Sequence, residues 1–158
     1  MSIGNIKNWR RNKPDAKQLL GYLPILQPSN NTEKSSENFK NAAHETFHNS
    51  LKVLLEPLLS STSINVTLNN ERIQFYPRIS VVIADWPEAA TYCLTYKSSM
   101  SNLPCHFCLV KRDNLANINL QDDEIIPRTH DNMRQIFEQN SEKSVCIENV
   151  YNIFWDLP

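Results

Sequence analysis

Hydrophobic and polar positions follow three patterns along this 158-residue chain, and each predicts an element. Phe39, Ala43, Phe47, Leu51, Leu54 and Leu58 recur at the spacing of one helix face, which predicts an amphipathic helix over about Ser36 to Leu59. Pro57 lies in its last turn, where a missing N–H ends or kinks a helix. Ile64-Asn65-Val66-Thr67-Leu68 then alternates with period two, Asn69-Asn70 supplies a turn that tolerates positive φ, and Arg72-Ile73-Gln74-Phe75-Tyr76 alternates back. That is a hairpin. The third pattern is a continuous run, Ile79-Ser80-Val81-Val82-Ile83-Ala84, short and β-branched, which predicts a buried central strand. Asp85 ends it, and Trp86-Pro87-Glu88 begins a helix with proline in the first turn, where its missing N–H costs nothing. Further on, Pro127-Arg128-Thr129-His130 opens a helix from Asp131 to Asn140 with Met133, Ile136 and Phe137 on one face. Gln27 to Asn38 and Leu115 to Asp123 are polar and aperiodic and read as loops.

Composition narrows the class of protein. The length allows one domain with a real core, and 41% hydrophobic with 21% charged residues is ordinary globular usage. No apolar run approaches the roughly 20 residues of a membrane-spanning helix, and the opening MSIGNIKNWRRNK lacks the apolar stretch of a signal peptide. With only Gly4 and Gly21, the chain has neither glycine-rich phosphate loop of the nucleotide-binding folds. A net charge of −1 gives no global attraction to nucleic acid, so any such binding rests on local patches. One patch is Lys7, Arg10, Arg11 and Lys13 around Trp9, cations for phosphates with an aromatic ring for stacking; the plainer reading is a solvated loop.

Three constellations carry chemistry. Asp85 stands where a strand leaves a sheet and a helix starts; it is either a reactive carboxylate or, with Glu88 three residues on, the first half of a capping box. Cys105-His106-Phe107-Cys108 behind Pro104 is a C-x-x-C pair whose spacing lets two thiolates of one tight turn meet one zinc ion. A redox role wants the pair at a helix N-terminus directly after a strand, and here the helix comes first. With four cysteines and no secretory signal, a reducing compartment and metal ligation fit better than disulfides. Lastly, His44-Glu45-Thr46-Phe47-His48 formally matches H-E-x-x-H, the zinc-peptidase helix, but the helix runs on as NSLKVLLEPLL with no G-x-x-H after it, and no downstream helix obviously carries a Glu ligand.

IADWPEA followed by PCHFCLVKR resembles the Plavaka-type transposases of fungi, relatives of the Kyakuja-Dileera-Zisupton and CACTA groups. Further matches run along nearly the whole chain: Ser2 to Leu26 with its GYLP element, the Glu56-Pro57-Leu58 end of the long helix, the Arg128-Thr129-His130 element, and the closing NIFWDLP. The resemblance implies part of a ribonuclease H-like α/β core over residues 1–92, then a zinc-knuckle insertion and following helix over 93–158. It implies that Asp85 is a catalytic carboxylate binding Mg²⁺ and that Cys105 and Cys108 are half of a structural zinc site. DNA is then the partner, and the nucleus the location. In the family the first catalytic Asp precedes the match to Met1, while the His half of the zinc site and the final Glu follow the match to Pro158. The chain is therefore expected to be an internal fragment, inactive alone, with Tyr151, Phe154 and Trp155 left exposed for self-association. Cys93, His130 and Cys146 are local candidates to complete the zinc site. The alternatives are a small zinc-stabilised binding module that uses the knuckle and the basic patch without catalysis, and the peptidase on His44 and His48.

Overall fold

The computed structural model describes residues 1, 4, 6–60, 63–97 and 100–157. Ser2, Ile3 and Asn5 of the N-terminal segment quoted above, and Pro158 of the C-terminal one, lie outside them. In order come α1 (Asn8–Arg11), α2 (Asn31–Ser35), α3 (Glu37–Ser60), β1 (Ile64–Leu68), β2 (Glu71–Phe75), α4 (Trp86–Cys93) and α5 (His130–Glu138), with five short 3₁₀ turns between and after them. The fold is mixed α/β, its sheet a two-stranded antiparallel ribbon.

The long helix forms where the periodicity places it. Ser36 starts it by accepting the Phe39 N–H on its hydroxyl at 3.2 Å, and Pro57 is carried inside the last turn rather than ending it. The hairpin also forms as read: Leu68 faces Glu71 across a two-residue turn in which Asn69 and Asn70 have φ of 52° and 65°. Positive φ at both turn residues matches the right-handed twist of the strands, and asparagine adopts it at little cost. The segment read as a polar loop holds a helical turn, α2, because Asn30 accepts the Glu33 N–H at 2.8 Å while the Glu33 carboxylate takes the Ser29 N–H at 2.5 Å. That reciprocal cap was present in the sequence as Asn-x-x-Glu.

The central strand is not found. Ile79–Ala84 lies outside any strand, with Val81 70% and Ile83 91% exposed. A strand needs a neighbour to take its N–H and C=O groups, and among the described residues only β1 and β2 pair in a sheet. Five of six apolar-looking residues in a row say that a segment wants burial; they do not supply the partner.

The core lies in the C-terminal half. Met133, Val145 and Ile147 are buried, with Leu103, Leu109, Ile136 and Trp155 packed against them. Leu94, Thr95 and Ile147 are the largest fully buried side chains. Leu94 ends α4 in the left-handed conformation at φ 55°, which costs a branched residue about 1–2 kcal/mol; complete burial of a leucine is worth about 1.5–3 kcal/mol and offsets it. The turn aims the next residues at the segment after the 3₁₀ turn Glu142–Val145, where Thr95 bridges Ile147, the Glu148 N–H meets the Leu94 carbonyl at 2.7 Å and the Tyr96 N–H meets that of Cys146 at 3.0 Å.

Of the C-terminal aromatic residues expected to be left exposed, Tyr151 is exposed, whereas Phe154 and Trp155 are half-buried. Trp155 meets Phe137 of α5 at 5.5 Å between ring centroids and Tyr151 at 5.3 Å, while Phe154 meets Tyr92 of α4 at 5.8 Å. The chain folds back on itself here because Asn152 reaches across 60 residues to donate to the Tyr92 carbonyl at 2.9 Å.

Candidate functional site

Asp85 caps α4. Its side chain accepts the Glu88 N–H at 2.9 Å, and its own carbonyl accepts the Ala89 N–H at 2.8 Å. The carboxylate is exposed and sits at the positive end of the helix, with oxygen left for another partner. Capping and metal binding are thus not exclusive, since one carboxylate has about four lone-pair directions and the cap uses one.

The cysteine turn is joined to this helix start through aromatic contact. Trp86, the residue after Asp85, lies with its ring 4.2 Å from that of His106, inside the C-x-x-C. His106 is 7% exposed and its Nδ1 is buried without a hydrogen-bond partner. Burial, with the Arg128 charge as the smaller cause, lowers its pKa, so this histidine is neutral at pH 7. In the turn itself the Phe107 N–H donates to the Cys105 sulfur at 3.3 Å. Burial pushes the Cys108 thiol up, while the Val110 amide acts in the opposite direction.

These two cysteines are the candidate half of a zinc site: both lie in one turn, and the Cys105 sulfur accepts a backbone N–H. Among the described residues no group of three or more His, Cys, Asp or Glu is gathered so as to hold a metal ion, so neither Cys93, His130 nor Cys146 completes it in this arrangement. The same holds for Asp85, which is joined by no set of carboxylates.

The sequence reading names Arg128 only as part of the Arg128-Thr129-His130 element and gives it no role of its own. Its guanidinium donates to the carbonyls of Cys105 (2.9 Å), Leu103 (3.1 Å) and Val145 (2.8 Å) and contacts the Met133 sulfur at 3.4 Å. Its backbone N–H meets the Phe107 carbonyl at 2.8 Å, and the Leu109 N–H meets the Ile126 carbonyl at 2.8 Å, so Cys108 and Pro127 form a bridge. Burial lowers its pKa, and all four cysteines act to raise it. No local pattern marks an arginine whose partners lie 17 to 25 residues away.

Between the exposed run and this half of the molecule lies a cavity of 580 Å³. Pro77–Val82 form one wall, and Tyr92, Cys93, His106, Arg128, Phe154 and Trp155 are among the residues of the other.

The basic stretch is a separate feature. Trp9 is 66% exposed on α1, and Arg10 is engaged by Asp15 through two contacts of 2.8 and 2.6 Å, which raise its own pKa and lower that of Asp15. Among the described residues Lys7, Arg11 and Lys13 have no ion pair. Downstream, Gly21 lies against Leu54 of α3, where a Cβ would come within 3.1 Å.

His44 and His48 do not form a peptidase centre. His48 is 2% exposed, its Nε2–H donates to the Thr91 carbonyl at 3.1 Å and its Nδ1 accepts the Ile153 N–H at 3.4 Å, so both ring nitrogens are committed to backbone. His48 ties α3 to α4 and to the C-terminal turn instead. Burial, followed by the charges of Lys97 and His48, lowers the His44 pKa to about 4.

A family model described as Plavaka transposase matches residues 1–157. No curated protein and no solved structure matches the chain.

Proposed function

The chain belongs to the Plavaka transposase family, and from that premise we propose that it contributes to metal-dependent cleavage and transfer of DNA strands in the nucleus, with Asp85 as one of the carboxylates that hold Mg²⁺. The observation that carries this reading is the family match over residues 1–157. The exposed, charged oxygen of Asp85 at a helix N-terminus supports it. In such chemistry two Mg²⁺ ions about 3.5–4 Å apart activate the attacking oxygen and stabilise the leaving one. Asp85 holds one ion; it needs further carboxylates to hold two.

A ribonuclease H-like core belongs to the same proposal. What supports it is the apolar run Ile79–Ala84, which pairs with no strand among the described residues and exposes Val81, Val82 and Ile83, as suits a segment that pairs within a larger sheet. A zinc knuckle on Cys105 and Cys108 belongs to it too, supported by the shared turn and its N–H···S bond to Cys105. DNA is the partner, and Lys7, Trp9, Arg11 and Lys13 are the groups placed to meet its phosphates and bases, with Arg10 held back by Asp15. The zinc-stabilised binding module is the second reading, supported by the cysteine turn and the exposed Trp9 of the basic stretch.

Asp85→Asn separates the roles, because asparagine caps a helix as well as aspartate does but lacks the charge. In the wild-type chain Mn²⁺ is expected to broaden amide NMR signals around Ala84 to Glu88. Asp85→Asn should lose that broadening while α4 persists. Supercoiled plasmid should stay intact with either protein and Mg²⁺ or Mn²⁺, since one carboxylate does not make a two-metal centre. Broadening centred elsewhere sinks the assignment of Asp85; metal-dependent nicking that Asp85→Asn abolishes shows that the chain gathers a complete site.

A further inference from the structure

The stretch Leu103-Pro104-Cys105 has a problem of supply. Proline has no N–H, and the turn that follows spends the Phe107 N–H on a sulfur, so the carbonyls of Leu103 and Cys105 need donors from elsewhere. Arg128 meets both carbonyls, one through Nε and one through Nη2, and the same Nη2 also reaches Val145. Its main chain continues the clamp by pairing with Phe107 on the far side of the turn. The C-x-x-C is therefore gripped before, within and after its first cysteine by a single residue.

We propose that Arg128 is the positioning residue of the Cys105–Cys108 metal site, fixing the turn so that both sulfurs face one ion before the ion arrives. A planar guanidinium with five donors in fixed directions serves three carbonyls at once. A lysine ammonium on a flexible stem keeps the charge but not the fork. A group that fixes a ligand's backbone without touching the ion is worth about 10- to 100-fold in metal affinity. This inference rests on the reading of Cys105 and Cys108 as a zinc pair, and the controls keep the two apart.

Zn²⁺ affinity of the full chain would be measured by competition with a chromophoric chelator, and the thiolate-to-metal charge-transfer band would be recorded with Co²⁺. Cys105→Ser should abolish the band; if it does not, the zinc reading fails and Arg128 is not at issue. With that band established, Arg128→Lys and Arg128→Met should each weaken Zn²⁺ binding by about 10- to 100-fold and alter the Co²⁺ band. Thr129→Ala is the comparison of choice, because Thr129 caps α5 by accepting the Asn132 N–H at 3.2 Å and so weakens the same neighbourhood without touching the turn. It should leave the band and the affinity unchanged. Arg128 variants that bind Zn²⁺ as the wild type does, or no worse than Thr129→Ala, overturn the proposal. So does a failure of both Arg128 variants to fold where Thr129→Ala folds, since Arg128 would then hold the domain rather than the turn.

Discussion

The half of the molecule from Trp86 to Leu157 and the stretch from Ser63 to Asp85 have similar appetites for burial and opposite outcomes. In the first, Leu94, Ile147, Val150 and Ile153 are each no more than 3% exposed, and polar side chains such as Asn152 and Arg128 bond backbone groups far away in sequence. In the second, every residue of β1 is exposed, only Ile73 of β2 is half-buried, and Ile83 stands 91% in solvent. Apolar content does not separate the two. Partners do: the C-terminal half contains donors that reach across the chain, whereas the hairpin pairs with itself and the run after it pairs with nothing among the described residues.

The largest effect that tests this contrast is a matched pair of truncations. Ile147→Ala should cost about 2–5 kcal/mol in urea unfolding, as for any large buried aliphatic side chain. Ile83→Ala should stay within about 0.5 kcal/mol of the wild type. An Ile83 cost comparable to that of Ile147 would mean that the exposed run is buried in solution, and the contrast would collapse.

A pH effect comes next. His44 in α3 is held neutral, with a folded pKa of about 4 against an ordinary value of 6.5, chiefly by burial. The unfolded chain then binds more protons than the folded one between these values, so stability rises with pH there. It is fully present above pH 6.5 and is lost progressively as pH falls towards about 4. Glu148 works against this, because burial raises its pKa and its protonated form favours the folded state. Melting temperature should fall between pH 6.5 and 4, and His44→Leu should flatten that fall. An unchanged profile in the variant would show that His44 is solvated.

The smallest effect concerns the hairpin turn. Asn70→Val forces a β-branched residue into φ 65° and should weaken the hairpin by about 1–2 kcal/mol. Cross-strand NMR contacts between Val66 and Ile73 should fade while the melting of the C-terminal half stays put. A shift of both together would join the hairpin to the core.

Local grammar was readable from the sequence, and the elements it governs are where it put them. The spacing of Phe39 to Leu58 dictates α3, Asn69-Asn70 dictates the hairpin register, and Asp85, Pro87 and Glu88 dictate the start of α4, because each depends on residues within one turn. The C-x-x-C spacing likewise sets the N–H···S bond of its own turn. Tertiary structure alone decided that Ile79–Ala84 stays unpaired, that His48 is a cross-link rather than a ligand, that the C-terminal aromatic residues pack on α4 and α5, and that Arg128 grips the cysteine turn. Each of these depends on what stands opposite a side chain in space. A carbonyl at Leu103 and an arginine at 128 are 25 residues apart in sequence and 3.1 Å apart in the fold, and no periodicity in the chain encodes that distance.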